Sequence, residues 1–324
     1  MNKWRFLMTA RLALLLMPVL SVPVFAQAQY PERPLRAVVA FGTGGATDVI
    51  ARIIATSMSN SLGQPVVIDN RPGADGIVAG EQVVKAAPDG YTLFFGTSTQ
   101  ISALPFLRKN VPFDPLADYT PIGGIGNNSF FWAVHPGLPV KTLKEFRDYG
   151  RANPGKLNVG SSSAVGSIGP TLFAKTEKFD LQVILYKSET GALNDLIAGR
   201  VQAMLITGAL AQHVRDGRIR GLATLLANRS KALPDLPTMI EAGMQPFPAV
   251  AFMGLFGPAK MPKETVDRLN RELMAALQKP EVRDPIERTA MEITPLSASA
   301  MGALAKEQTE VWRRLTRDAG IVPE

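Results

Sequence analysis

The most constraining feature of this chain is an alternation of short apolar runs with helical patterns, with glycine- and hydroxyl-rich loops after several of the runs. Residues 35–41 (LRAVVAF) predict a buried strand. Residues 47–61 follow with Ile50, Ile53, Ile54 and Met58 at helical spacing, and Gly63 ends that helix. A second strand is expected over 65–69, a helix over 80–87, a turn at APDG (87–90) and a third strand over 91–95. Strand–helix–strand order of this kind implies α/β architecture with a parallel sheet covered on both faces.

The pattern restarts at FFWAV (130–134). Helices over 143–152, 168–175 and 192–198 alternate with strands over 157–160, 183–186 and 201–206. A strand over 251–257 then returns to the first block, and helices over 263–278 and 297–319 close the chain. This predicts two α/β lobes around a hinged cleft: residues 27–128 with 252–324, and residues 129–251. Ligands in open α/β sheets sit beyond the C-terminal ends of the strands, so the loops just after the strands are the candidates.

Residues 1–26 read as a secretory leader. Lys3, Arg5 and Arg11 precede an apolar stretch interrupted by Pro18, Ser21 and Pro23, and small residues follow. The stretch is too short and Pro-broken for a comfortable membrane span, although an uncleaved anchor is the competing reading. No lipobox cysteine follows, and the chain has no Cys at all, which removes thiol chemistry and disulfides. The +7 net charge includes three leader cations, which leaves +4 for the mature chain. There is no Lys/Arg run or basic-aromatic stripe, so nucleic acid is not an expected partner.

Three loops have ligand-binding chemistry. The first is Gly42, Thr43, Gly44, Gly45, Ala46, Thr47 and Asp48, between a strand and a helix start. Glycines there allow close backbone approach, and free helix-start amides attract an anion. A plain tight turn is the alternative. Asp48 reads either as a first-turn acid favoured by the helix dipole or as a ligand-facing acceptor. The second loop, Gly96 to Gln100, offers Ser98 and Thr99; the third, Gly160 to Ser167, offers Ser161, Ser163, Gly166 and Ser167 on the other lobe. Each could equally be a flexible polar loop. The 160–164 stretch narrowly misses G-x-S-x-G, and His135 and His213 are not placed near any serine. Two isolated His without Cys make no zinc set, and no calcium loop is visible. No catalytic residue, metal or cofactor is therefore expected.

Nine segments in order carry a resemblance. They are Tyr30-Pro31 with Arg33-Pro34-Leu35, GGATD (44–48), LGQPVVIDNRPGADG (62–76), APDGYTL (87–93) and VPFDPLADYTPI (111–122), followed by ANPGKLN (152–158), DLIAGRVQA (195–203), LPDLPTMIEAG (233–243) and GLFGPAKMPKETVDRLN (254–270). Together they resemble the substrate-binding proteins of tripartite tricarboxylate transporters, the Bug family. The resemblance implies a periplasmic-binding-protein type II fold and a monomeric periplasmic protein. It also implies a ligand that is a di- or tricarboxylate, an acidic amino acid or an aromatic acid, held by backbone groups and waters and passed to membrane permease subunits.

Carried over by position, the site comprises Thr43, Gly44, Gly45, Ala46 and Asp48 on one lobe. The other lobe supplies Ser161, Ser163, Gly166 and Ser167, with Tyr186 at its rim. The chain departs from the family at Gly42-Thr43, where two prolines are usual. Pro170 stands in place of a histidine, and Tyr186-Lys187-Ser188 in place of Tyr-Lys-Gly. The expected mechanism is capture by lobe closure. A periplasmic subunit presenting its ligand to a sensor kinase, and a hydrolase or isomerase, are the rival readings.

Overall fold

Strand β1 (Leu35–Val39) forms where only Arg36 interrupts an apolar run, and every residue but Arg36 is buried. Its side chains alternate between two cores: Ala37 and Val39 enter one, Val38 and Ala40 the other. That burial on both faces is what an inner parallel strand requires. The computed structural model describes residues 30–323, so the leader expected over 1–26 lies outside the described residues.

From β1 the chain runs through α1 (Ala46–Leu62), β2 (Val66–Asn70), α2 (Ile77–Val84) and β3 (Thr92–Thr97). A π turn and a 3-10 turn cover 99–106, and β4 (Tyr119–Asn128) follows. Ser129 then carries the chain into β5 (Phe130–Val134). Next come α3 (Leu143–Ala152), β6 (Asn158–Ser161), α4 (Ala164–Glu177), β7 (Gln182–Leu185) and α5 (Glu189–Ile197). This half ends with β8 (Ala203–Thr207), α6 (Ala211–Arg215) and β9 (Arg220–Thr224). After a long connection come β10 (Phe252–Pro258), α7 (Lys263–Gln278), α8 (Pro280–Arg288), β11 (Met291–Leu296) and α9 (Ala298–Ala319).

Two sheets result, ordered β11-β4-β10-β3-β1-β2 and β7-β6-β8-β5-β9. They are mixed, not parallel as the alternation implied. Parallel pairing is confined to β1 with β2 and β3, and to β6 with β7 and β8. Strands β10, β4 and β11, and β5 with β8 and β9, pair antiparallel. The sequence hides β4 because Pro121, Gly123, Gly124 and Gly126 read as loop. The glycines are there for space: a Cβ on Gly126 would lie 2.2 Å from the carbonyl oxygen of Glu292 on β11.

The sheets are joined by two adjacent chain crossings, where the Asn128 amide donates to the Ala251 carbonyl at 2.8 Å. Helix α9 is the third tie. At about 1.5 Å per residue, its 22 residues extend for about 33 Å. Met301 and Ala305 pack in the core of the first sheet. Val311, Trp312 and Leu315 pack in the core of the second, with the Trp312 ring 6.2 Å from that of Phe247.

Trp312 is fully buried, so truncating it removes an anchor of the second core. Trp312→Ala should lower the unfolding free energy by about 3–5 kcal/mol in denaturant titrations. A loss below about 1 kcal/mol would mean that the C-terminal half of α9 is not part of that core.

Candidate functional site

The loop between β1 and α1 is shaped by one carboxylate. Asp48 is only 1% exposed, and its side chain turns back under the loop. The Gly44 amide donates to Asp48 Oδ2 at 2.8 Å, and Asn70 Nδ2 donates to Oδ1 at 2.8 Å. Arg52, one helical turn on, grips both oxygens at 2.9–3.0 Å. Asn70 also donates to the Phe41 carbonyl, which ties the loop to the end of β2. Gly44 has φ of 84°, a left-handed conformation that needs glycine. Burial alone would raise the Asp48 pKa. The hydrogen bonds from Arg52, Gly44 and Asn70 outweigh it and hold the carboxyl below the usual range.

This arrangement leaves the helix-start amides of Gly45, Ala46 and Thr47 without an acceptor among the described residues. Gly45 is the N-cap and supplies no side chain to satisfy them.

The second lobe repeats the arrangement with hydroxyls. Ser163 caps α4, its Oγ accepting from the Gly166 amide at 3.1 Å. Ser161 Oγ donates to the Ser163 carbonyl and lies 2.9 Å from Ser167 Oγ. These contacts engage Ser161, Ser163 and Ser167 within the loop and leave the Ala164 and Val165 amides open. Gly166 is required because a Cβ there would lie 2.7 Å from Ser161 Oγ. A third helix start lies beside it. Ser188 caps α5 by accepting from the Gly191 amide, and the Glu189 and Thr190 amides have no acceptor among the described residues.

All three helix starts border one cavity of about 640 Å³ between the sheets. Of the expected site residues, Thr43, Gly44, Gly45, Ala46, Ser98, Thr99 and Ser163 line it. Asp48, Ser161, Gly166 and Ser167 do not; they lie one layer behind and hold the lining backbone in place. Tyr186 is also off the lining, because its hydroxyl donates to Asp195 Oδ2 at 2.7 Å. Pro170 sits inside α4, buried and away from the cavity.

Several lining residues were not among the expected site residues: Lys187 and Ser188, noted only in the Tyr-Lys-Ser stretch, and Glu189, Thr190 and Thr207. The signal was present: a Ser N-cap with Glu in the first turn starts α5 at 189, not at 192. Glu189 receives the Thr207 amide at 2.6 Å and the Thr207 hydroxyl at 2.8 Å. Burial pushes its carboxyl pKa up, against the lowering effect of those two bonds. His135 accepts from the Gly137 amide and His213 meets Arg218; neither borders the cavity.

The chain matches the family described as "Tripartite tricarboxylate transporter family receptor" over residues 50–321. Its fold is similar to the periplasmic binding protein BugD, with 31% identity, a TM-score of 0.82, and 91% of this chain and 100% of that one covered. It is similar to Rpa4515 of R. palustris, solved with adipate, at 30% identity and TM-score 0.85, covering 91% and 100%. It is also similar to MatC from Rhodopseudomonas palustris with bound malate, at 29% identity and TM-score 0.79, covering 88% and 99%.

The Asp48 hub makes a pH-dependent contribution that can be measured. A depressed folded-state pKa means that the ionised carboxyl stabilises the fold, fully so above its unfolded-state pKa. Asp48→Asn should cost about 2 kcal/mol of stability at neutral pH. The gap between the variants should close between neutral and strongly acidic pH, as the pH falls through the depressed pKa of Asp48 and the wild-type carboxyl also loses its charge. Denaturant unfolding at the two pH values checks this; a gap independent of pH would remove the ionic account.

Proposed function

The chain belongs to the tripartite tricarboxylate transporter receptor family, and from that premise we propose that it is a periplasmic solute-binding protein that captures a small carboxylate. The solute class is a di- or tricarboxylate, an acidic amino acid or an aromatic acid. The protein then hands it to the permease subunits of a tripartite tricarboxylate-type secondary transporter. It is a receptor, and no step of chemistry on the solute is assigned to it.

One observation carries the reading: three helix N-termini, each with open amides, border a single cavity between the sheets. Helix-start amides carry partial positive charge and point their N–H groups at the solute. The similar structures solved with adipate and with malate support a carboxylate as the occupant. The apolar share of the lining comes from Phe41, Phe130, Val165, Leu205 and Leu210, which would cover the carbon skeleton.

The proposed cycle starts at the first-lobe loop, which is exposed at Gly42 to Gly45. The carboxylate settles on the amides of Gly45, Ala46 and Thr47. The lobe of residues 129–251 then closes on that of 27–128 with 252–324, bringing in the α4 and α5 amides and excluding water. The closed surface is what the permease recognises.

Gly45→Asp tests this without damaging the fold. Gly45 has φ of −73° and room for a Cβ, so Asp fits. Asp is a strong N-cap, and its carboxylate would take the amides that the solute needs. In a thermal-shift screen of carboxylates the wild type should show a ligand that raises Tm. The variant should keep or raise the ligand-free Tm and lose the shift. An undiminished shift in Gly45→Asp would overturn the assignment of the cleft.

A further inference from the structure

Lys187 and Glu189 are the charged residues among those lining the cavity, and both lie on the second lobe. They do not neutralise each other. Lys187 is exposed and meets no carboxylate among the described residues. Glu189 is fixed in the wall, bound by the amide and the hydroxyl of Thr207 at the end of β8. A carboxylate has about four lone-pair sites, so roughly one on each oxygen stays open for a further donor.

An acid built into an anion-binding cleft needs an explanation. At the first turn of α5 it gains from the helix dipole, and it braces β8. Those roles do not require it to border the cavity, where it opposes any second negative charge. Closure of the cleft removes the water that screens this repulsion, so an unpaired carboxylate becomes costly as the lobes meet. A ligand that brings its own cation turns that cost into a charge-assisted hydrogen bond. Burial already raises the Glu189 carboxyl, and a neighbouring cation would reverse that shift.

Resting on the carboxylate-capture reading above, we propose that Glu189 is the specificity-determining residue of the cleft. It accepts a hydrogen bond from an ammonium group on the solute, so the preferred ligand is a zwitterionic carboxylate, an amino acid. The helix-start amides hold the carboxylate end, and Glu189 reads the amine.

Titration calorimetry on the full mature chain with skeleton-matched pairs tests this. The pairs are L-aspartate and succinate, L-alanine and propionate, and L-phenylalanine and 3-phenylpropionate. At least one amino acid should bind about tenfold or more tightly than its deaminated partner. Glu189→Gln keeps the shape and can still bond Thr207. It should shrink that preference by about tenfold while leaving the deaminated acid bound as well as or better than before. Wild-type preference for the deaminated acids overturns the inference and leaves carboxylate capture standing. An amino-acid preference unchanged in Glu189→Gln also overturns it. Failure of every member of the panel to bind overturns the inference, and the reading it rests on is then decided by the wider carboxylate screen with Gly45→Asp. The wild-type ratio needs no variant, so misfolding of Glu189→Gln does not rescue the proposal.

Discussion

The structure depends on unsatisfied backbone amides at helix starts. Every α-helix begins with N–H groups that no turn of the helix can accept, and most proteins hide or cap them. Here α1, α4 and α5 begin at the ends of β1, β6 and β7, so all three starts emerge at the same edges of their sheets. Strand direction thus decides where the positive ends gather. The connection from β4 to β5 through Ser129 then brings the two edges onto one cavity. No arginine borders that cavity among the described residues, and Lys187 is the one cation on its lining, so much of the positive potential comes from the main chain. A backbone site of this kind does not have to immobilise a long cationic side chain before a solute can bind.

Such amides work only if their loops are held still, and much of the polar chemistry around the site does that. Asp48 satisfies the one amide of the first loop that points inward and takes Arg52 and Asn70 as its own partners. Ser161, Ser163 and Ser167 bond among themselves and to their own loop. Ser188 does the same for α5. Asp48, Ser161, Ser167 and Tyr186, which look ligand-facing in a linear reading, are therefore turned away from the cavity, and the helix-start N–H groups stay open beside the hydroxyls of Thr43, Ser98 and Thr99.

This explains what could be read from the sequence. The α/β alternation, the chain crossings near 128 and 251, and the loops at 42–48, 96–100 and 160–167 all follow from apolar runs and from glycine or hydroxyl clusters. The side-chain orientation within those loops did not, because a one-dimensional reading cannot tell a serine that caps its own helix from one that meets a solute. Helix α5 was expected three residues late, since Ser188, Glu189, Thr190 and Gly191 look like loop until their capping role is seen. That displacement hid Glu189 and Thr190. Strand β4 was missed for the opposite reason: its glycines are demanded by close neighbours across the sheet, which only the fold supplies. The nine family segments cover these blind spots for the fold but not for the ligand, because they lie mostly at turns and strand ends outside the α5 start.

Dividing the amides between two sheets also decides how binding and shape are coupled. Charge-assisted hydrogen bonds contribute about 1.5–3 kcal/mol each, while association costs about 4–15 kcal/mol in lost freedom. The three open amides of the first loop cannot reach the roughly 8 kcal/mol of net binding that micromolar affinity requires. The α4 and α5 amides must join them, and they sit on the other sheet. Tight binding is therefore available only when both sheets are in place around the solute. In the proposed cycle, the same hydrogen bonds that supply the affinity also hold the two lobes together. Helix α9, anchored in both cores, and the paired crossings at Asn128 and Ala251 tie the two sheets together.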